Sequence, residues 1–267
     1  MSYARLRAIV GDLPGAIVAY SGGADSAFLA DVAHEALGER MVAVTAVSPS
    51  LAPDERAAAA GLALARGWRH EEVVTTEVDK PEYRANNPDR CYHCKDTLFD
   101  LLDALAAERR ATVLVGTNVD DTGDFRPGQR AAREHGVRAP LLEAGLTKQE
   151  VRSLSRARGL PTWDKPASAC LSSRIAYGVE VTPERLDRVA RAERFLKERG
   201  LNELRVRDHG DLARIEVPPV EIERLAAERD AVAAFFRELG FAYVTLDLEG
   251  FRSGSMNAPL LRIGRRS

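Results

Sequence analysis

The chain has no apolar run long enough to span a bilayer and no visible secretory leader, which points away from a membrane protein and towards a cytoplasmic one. It also lacks a basic block. Its 38 Lys and Arg are interspersed with 40 Asp and Glu for a net charge of −2, so composition does not suggest a nucleic-acid partner. Cysteine is scarce and odd in number: Cys91-x-x-Cys94 and a distant Cys170, a pattern that in a cytosolic chain argues for metal or sulfur chemistry rather than for disulfides. The phosphate-loop pattern Gly-x4-Gly-Lys is absent, as are internal repeats and low-complexity tracts. At 267 residues and 45% hydrophobic content, the chain can hold one large domain or a domain with a smaller partner.

What is present begins at Ala16–Tyr20, an apolar run that leads straight into Ser21-Gly22-Gly23-Ala24-Asp25-Ser26. The glycines let the backbone turn tightly and approach a ligand. Amides and dipole at the following helix start favour an anion, to which the Ser21 and Ser26 hydroxyls add donors. Asp25 suits a magnesium ion held by phosphates. A tight turn closed by a capping serine is the plainer alternative. Strands at 41–47, 71–76 and 112–115 alternate with helices at 24–37, 53–66 and 92–109, which predicts an α/β fold with a doubly wound parallel sheet. Ligands bind such sheets beyond the carboxyl ends of the strands, where the Ser21–Ser26 turn, Ser48 and Gly116 fall. Thr147 and Glu150 spell a capping box. From Thr182 the order becomes α-β-β-α-β, which predicts a smaller α+β domain, so the expected division is 1–166 and 167–267.

Two further blocks carry chemistry. Gly116-Thr117-Asn118-Val119-Asp120-Asp121-Thr122-Gly123-Asp124 crowds three aspartates at the end of the fourth strand, where they repel unless a cation or basic group is near; a solvated capping loop is the alternative. Asp164-Lys165-Pro166 then leads to Cys170-Leu171-Ser172-Ser173-Arg174-Ile175. Arg205 and Arg207 alternate along a strand and by pattern form its exposed face. Lys95 either reaches a phosphate or is a solvated helix lysine.

The hexapeptide after the first strand resembles the PP-loop of the ATP pyrophosphatases, of adenine nucleotide alpha hydrolase-like fold. Together with the two later blocks it is similar, over nearly the whole chain, to the LarE family of sulfur transferases. The resemblance implies a substrate, a pyridinium mononucleotide with two carboxylates, adenylated by ATP and magnesium with release of pyrophosphate. Sulfur then displaces AMP, as a step in nickel-pincer nucleotide synthesis. It implies nucleotide or substrate contacts from Ser21, Gly22, Gly23, Asp25, Ser26, Ser48, Lys95, Gly116, Asp121, Asp124, Ser172, Ser173, Arg174, Glu193 and Arg205. It also implies a homo-oligomer and a catalytic role for Cys91, Cys94 and Cys170. These three thiols match a 4Fe-4S cluster with one iron lacking a protein ligand, refilled by a sulfide donor. Two alternatives stay open for the thiols: Cys170 sacrificing its own sulfur, or zinc with His93 as fourth ligand. For the whole protein, a tRNA-thiolating enzyme and a nucleotide-sensing module are the rivals.

Overall fold

A computed structural model describes residues 2–123, 127–166, 169–252 and 255–257. The chain divides into two units, 1–77 with 89–169, and 78–88 with 170–267.

The first unit opens with helix α1 (Ser2–Gly11), then strand β1 (Ala16–Ala19), helix α2 (Ala24–Leu37), β2 (Met41–Val47), α3 (Pro53–Ala65) and β3 (His70–Val74). The chain next contributes the short α4 (Pro81–Arg84) to the second unit, and returns as α5 (Arg90–Arg109), β4 (Thr112–Leu114), α6 (Pro127–Glu134), α7 (Pro140–Glu143) and α8 (Lys148–Ala157). The four strands form one parallel sheet in the order β3-β2-β1-β4, with Ala16 opposite both Met41 and Thr112.

Successive side chains of a strand face opposite sides, and β1 uses both. Ala16 and Val18 join Phe28, Leu29 and Val32 of α2 and Leu6 and Val10 of α1 in one core. Ile17 joins Phe99 and Leu102 of α5 and Ala131 of α6 in another. A sheet covered on both faces needs strands apolar on both faces, as β1 and β2 are. Helix starts and stops follow local chemistry. Pro53 opens α3 with Asp54 and Glu55 in its first turn, and Gly38 ends α2 with φ 55°. At α8 the Thr147 hydroxyl accepts from Glu150 N while Glu150 accepts from Thr147 N, so the predicted capping box is real. Helix α1 was not anticipated.

The second unit holds α9 (Pro183–Lys197), β5 (Arg205–Asp208), β6 (Leu212–Glu216), α10 (Ile222–Ala227), α11 (Arg229–Glu238) and β7 (Tyr243–Leu246). Its sheet runs β5-β6-β7, antiparallel then parallel. Leu196, Val206, Ile215, Phe236 and Phe241 are among its core residues. Segment 78–88 belongs here through Asn86, whose amide donates to the carbonyls of Ala176 (2.8 Å) and Val179 (2.9 Å). Among the described residues, no helix is long and apolar enough to cross a membrane.

Candidate functional site

The loop after β1 is closed by its own hydroxyls. Ser26 Oγ lies 3.1 Å from Ser21 Oγ, accepts from Ser21 N at 3.2 Å and donates to Gly23 O at 3.2 Å. Gly22 has φ 73°, and a Cβ there would meet Ala59 Cβ at 3.0 Å, so both conformation and space require glycine. The cap residue of α2 is Gly23, which makes no side-chain cap bond. The first amides of α2 are therefore not occupied by a capping side chain, contrary to the serine-cap alternative, and the helix start suits an anion. Gly116, just past β4, packs against this same start: a Cβ on it would fall 2.8 Å from Ser26 N and 2.9 Å from the Asp25 carbonyl carbon.

Asp25 sits in the first turn of α2 with both carboxylate oxygens engaged. Asn118 Nδ2 donates to Oδ1 at 3.2 Å, and the Lys148 ammonium pairs with Oδ2. A half-buried carboxylate beside a helix start is a fitting ligand for a hard cation such as magnesium, once an oxygen is released to it. Lys165 reaches the loop from the turn that follows α8, donating to Gly22 O at 3.0 Å and to Glu55 Oε2 at 2.6 Å. Sequence reasoning assigned no role to Lys148, Asn118 or Lys165. Lys148 lies 123 residues from Asp25 and Lys165 143 from Gly22, separations that no local pattern spans.

The acidic block is more structural than its composition suggests. Asp121 accepts from Asn118 N at 3.0 Å, and Asp120 accepts from Lys148 N at 2.6 Å, capping α8. Backbone donors thus relieve much of the expected repulsion. Asp124 lies outside the described residues. Ser48, at the end of β2, donates to Glu77 Oε1 at 2.6 Å, as does Ser50 at 3.2 Å.

Cys91 and Cys94 occupy the first turns of α5, three residues apart and so on one face, Cys91 exposed and Cys94 half-buried. Lys95 is half-buried with Nζ 6.0 Å from the Phe99 ring centroid. His93 Nε2 lies 3.5 Å from Asp89 Oδ2. Within either unit, among the described residues, no three His, Cys, Asp or Glu side chains form a group able to hold a metal ion. The donors themselves, three thiols, are those an iron–sulfur cluster takes.

In the second unit Cys170 is exposed and caps the short turn Leu171–Arg174, its carbonyl accepting from Ser173 N and Arg174 Nη1. Behind it lies a dense set of arginines. Arg174 and Glu193, both about 95% buried, form a two-point pair with Nε–Oε1 at 3.0 Å and Nη2–Oε2 at 3.3 Å. Glu193 Oε1 also accepts from Val206 N, tying α9 to β5. Arg207 is buried rather than exposed, held to fully buried Glu216 at 2.7 Å and to Ser173 O at 3.2 Å. The exposed-face expectation fails because β6 supplies a carboxylate for Arg207 to follow inward. Arg205 differs: its guanidinium donates to its own neighbour Leu204 O at 2.7 Å, lies 5.1 Å from the Phe251 ring and, among the described residues, makes no ion pair. Burial first, and then the charge of Arg174, lower its pKa. Ser172 turns inward, fully buried and bonded to the Tyr83 hydroxyl.

No family model matches the chain. It is 48% identical over 260 residues to an uncharacterized protein of Synechocystis, covering 96% of this chain and 97% of that one. It is 38% identical over 261 residues to the pyridinium-3,5-bisthiocarboxylic acid mononucleotide synthase of Lactiplantibacillus plantarum, covering 97% and 95%. An uncharacterized protein of Methanocaldococcus jannaschii is 30% identical over 169 residues, covering 63% and 66%. With a full-length likeness at that identity, the chain belongs to the LarE family, that of pyridinium-3,5-bisthiocarboxylic acid mononucleotide synthase.

Proposed function

We propose that this protein is an ATP-dependent sulfur-inserting synthase that converts a carboxylate of pyridinium-3,5-biscarboxylic acid mononucleotide into a thiocarboxylate, for nickel-pincer cofactor synthesis. The observation that carries this reading is the likeness to the L. plantarum synthase across nearly the whole of both chains. The Ser21–Ser26 loop supports it with an uncapped helix start for the ATP phosphates. A substrate carboxylate oxygen attacks the α-phosphorus, the bond to the β-phosphate bridge breaks, and pyrophosphate leaves. A sulfur nucleophile then attacks the acyl carbon, the acyl C–O bond breaks, and AMP departs carrying that oxygen. Magnesium on Asp25 would offset phosphate charge. Within this reading, Ser21, Gly22, Gly23, Ser26, Ser48, Lys95 and Gly116 serve the nucleotide. Ser173, Arg174 and Arg205 serve the mononucleotide phosphate, and Glu193 holds Arg174 in place for it. The second unit carries sulfur transfer and assembly into a homo-oligomer.

For the sulfur source, we infer that Cys91, Cys94 and Cys170 hold a 4Fe-4S cluster, which would supply a replaceable sulfide. A second reading, favoured by the exposure of Cys170, is that this residue gives up its own sulfur and becomes dehydroalanine. Anaerobic purification with iron and acid-labile sulfide analysis, and intact mass before and after turnover, separates them. Iron near four per chain and an unchanged mass support the cluster; iron-free, active protein that loses the mass of H2S establishes sacrifice. Under both, Cys170→Ala abolishes thiocarboxylate formation and keeps pyrophosphate release. Retained sulfur insertion in that variant would falsify the assignment of Cys170.

A further inference from the structure

Lys148 is placed with more care than a surface lysine needs. It is the first residue of α8, whose start is fixed by the Thr147–Glu150 box and again by Asp120, which accepts from the Lys148 N–H. From that anchored backbone the half-buried side chain reaches Asp25 Oδ2, at the first turn of the helix that follows the Ser21–Ser26 loop. Asn118 holds the other oxygen. In this arrangement the ammonium holds one of the two Asp25 oxygens available to a metal ion. A polyphosphate arriving at the open amides of α2 brings several negative charges beside Asp25, and one ammonium already spent on that carboxylate does not offset them. Lys165, the other lysine at the loop, is tied to both Gly22 O and Glu55. Among the described residues the Lys148 ammonium makes one pair, and lysine is a compact charge on a flexible stem that can change partners.

We propose that Lys148 is a phosphate-contacting residue of the adenylation step. When magnesium and ATP bind, its ammonium leaves Asp25 Oδ2 for a β- or γ-phosphate oxygen, and the released carboxylate oxygen turns to the metal. No bond to hydrogen changes in this exchange; one ion pair is replaced by two. The inference rests on the reading of Ser21–Ser26 as an ATP loop, and it predicts that Lys148 senses the phosphates that leave rather than the AMP that remains.

The test is calorimetric binding of an α,β-methylene ATP analogue and of AMP, each with magnesium, to the full-length wild type, Lys148→Met and Lys148→Arg. Loss of one charge-assisted phosphate contact should weaken the analogue about tenfold to a hundredfold in Lys148→Met, with AMP affinity within about threefold and most of the loss recovered in Lys148→Arg. Lys148→Gln, which can still donate to Asp25, replaces the Met variant if that one melts early, and the same split is expected. Unchanged analogue affinity, or equal losses for analogue and AMP, overturns the proposal and leaves Lys148 as a structural partner of Asp25. A wild type that binds neither nucleotide overturns the ATP-loop reading as well, so the two failures are distinct.

Discussion

The loop after β1 and the region behind Cys170 handle charge in opposite ways. Around the Ser21–Ser26 loop the ion pairs are partly exposed and each rests on a lysine ammonium: Lys148 with Asp25, Lys165 with Glu55. Behind Cys170 they are buried and two-pronged: Arg174 with Glu193, Arg207 with Glu216. A partly exposed pair contributes little to stability and is cheap to exchange, whereas a buried pair has given up hydration that only its partner restores. The first region is thus built to trade partners with a ligand, and the second is assembled beforehand. Within the second, Arg205 stands apart in making no ion pair among the described residues, its guanidinium donating to Leu204 O instead.

This contrast breaks most readily at Glu193. Glu193→Gln strips the carboxylate charge from buried Arg174, and removing one partner of such a pair costs about 3–5 kcal/mol. Urea unfolding should show that loss, and a change below about 1 kcal/mol would mean the pair is hydrated after all. Next is Gly116→Ala, whose methyl would enter 2.8 Å from Ser26 N. Overpacking of this kind costs about 1–3 kcal/mol, and displacement of the α2 start should lower pyrophosphate release further than stability alone explains. Normal release with a destabilised fold would detach Gly116 from the nucleotide site. Arg205→Met sharpens the comparison from the other side. With no ion pair broken among the described residues, it should change stability by less than about 1 kcal/mol, yet raise KM for the mononucleotide; a large stability loss with unchanged KM contradicts the anion-site reading.

The smallest effect is a pH slope in the first unit. His135 Nδ1 lies 2.7 Å from Asp103 Oδ2 and Nε2 lies 3.3 Å from Asp96 Oδ1, and the hydrogen bond to Asp103 is the main cause of its raised pKa. A folded-state pKa above the unfolded one means that the protonated ring stabilises the fold fully below about 6.5, and that this contribution fades as pH rises through the raised value. Unfolding midpoints measured from pH 6 to 8.5 should fall faster in wild type than in His135→Gln; parallel curves would show that the cluster does not titrate in that window.

Much of the fold was legible because it is written at short range. The helix 24–37 and strand 41–47 match the structure residue for residue, since apolar periodicity and a terminal glycine act locally. The α-β-β-α-β order of the second sheet was equally readable. Arg207 was not: alternation identifies two faces of a strand but does not say which face a neighbouring Glu216 will occupy. Nor was the passage of 78–88 into the second unit, which depends on Asn86 bonding to carbonyls some ninety residues away.

The sequence by itself determined that a strand would run into a double-glycine turn and a helix start, because backbone freedom and helix polarity are properties of a few adjacent residues. Only the tertiary structure decided which cations would stand at that turn. Lys148 and Lys165 arrive there through the parallel strand order, which carries distant segments to one edge of the sheet, and an ion pair depends on distance in space rather than along the chain.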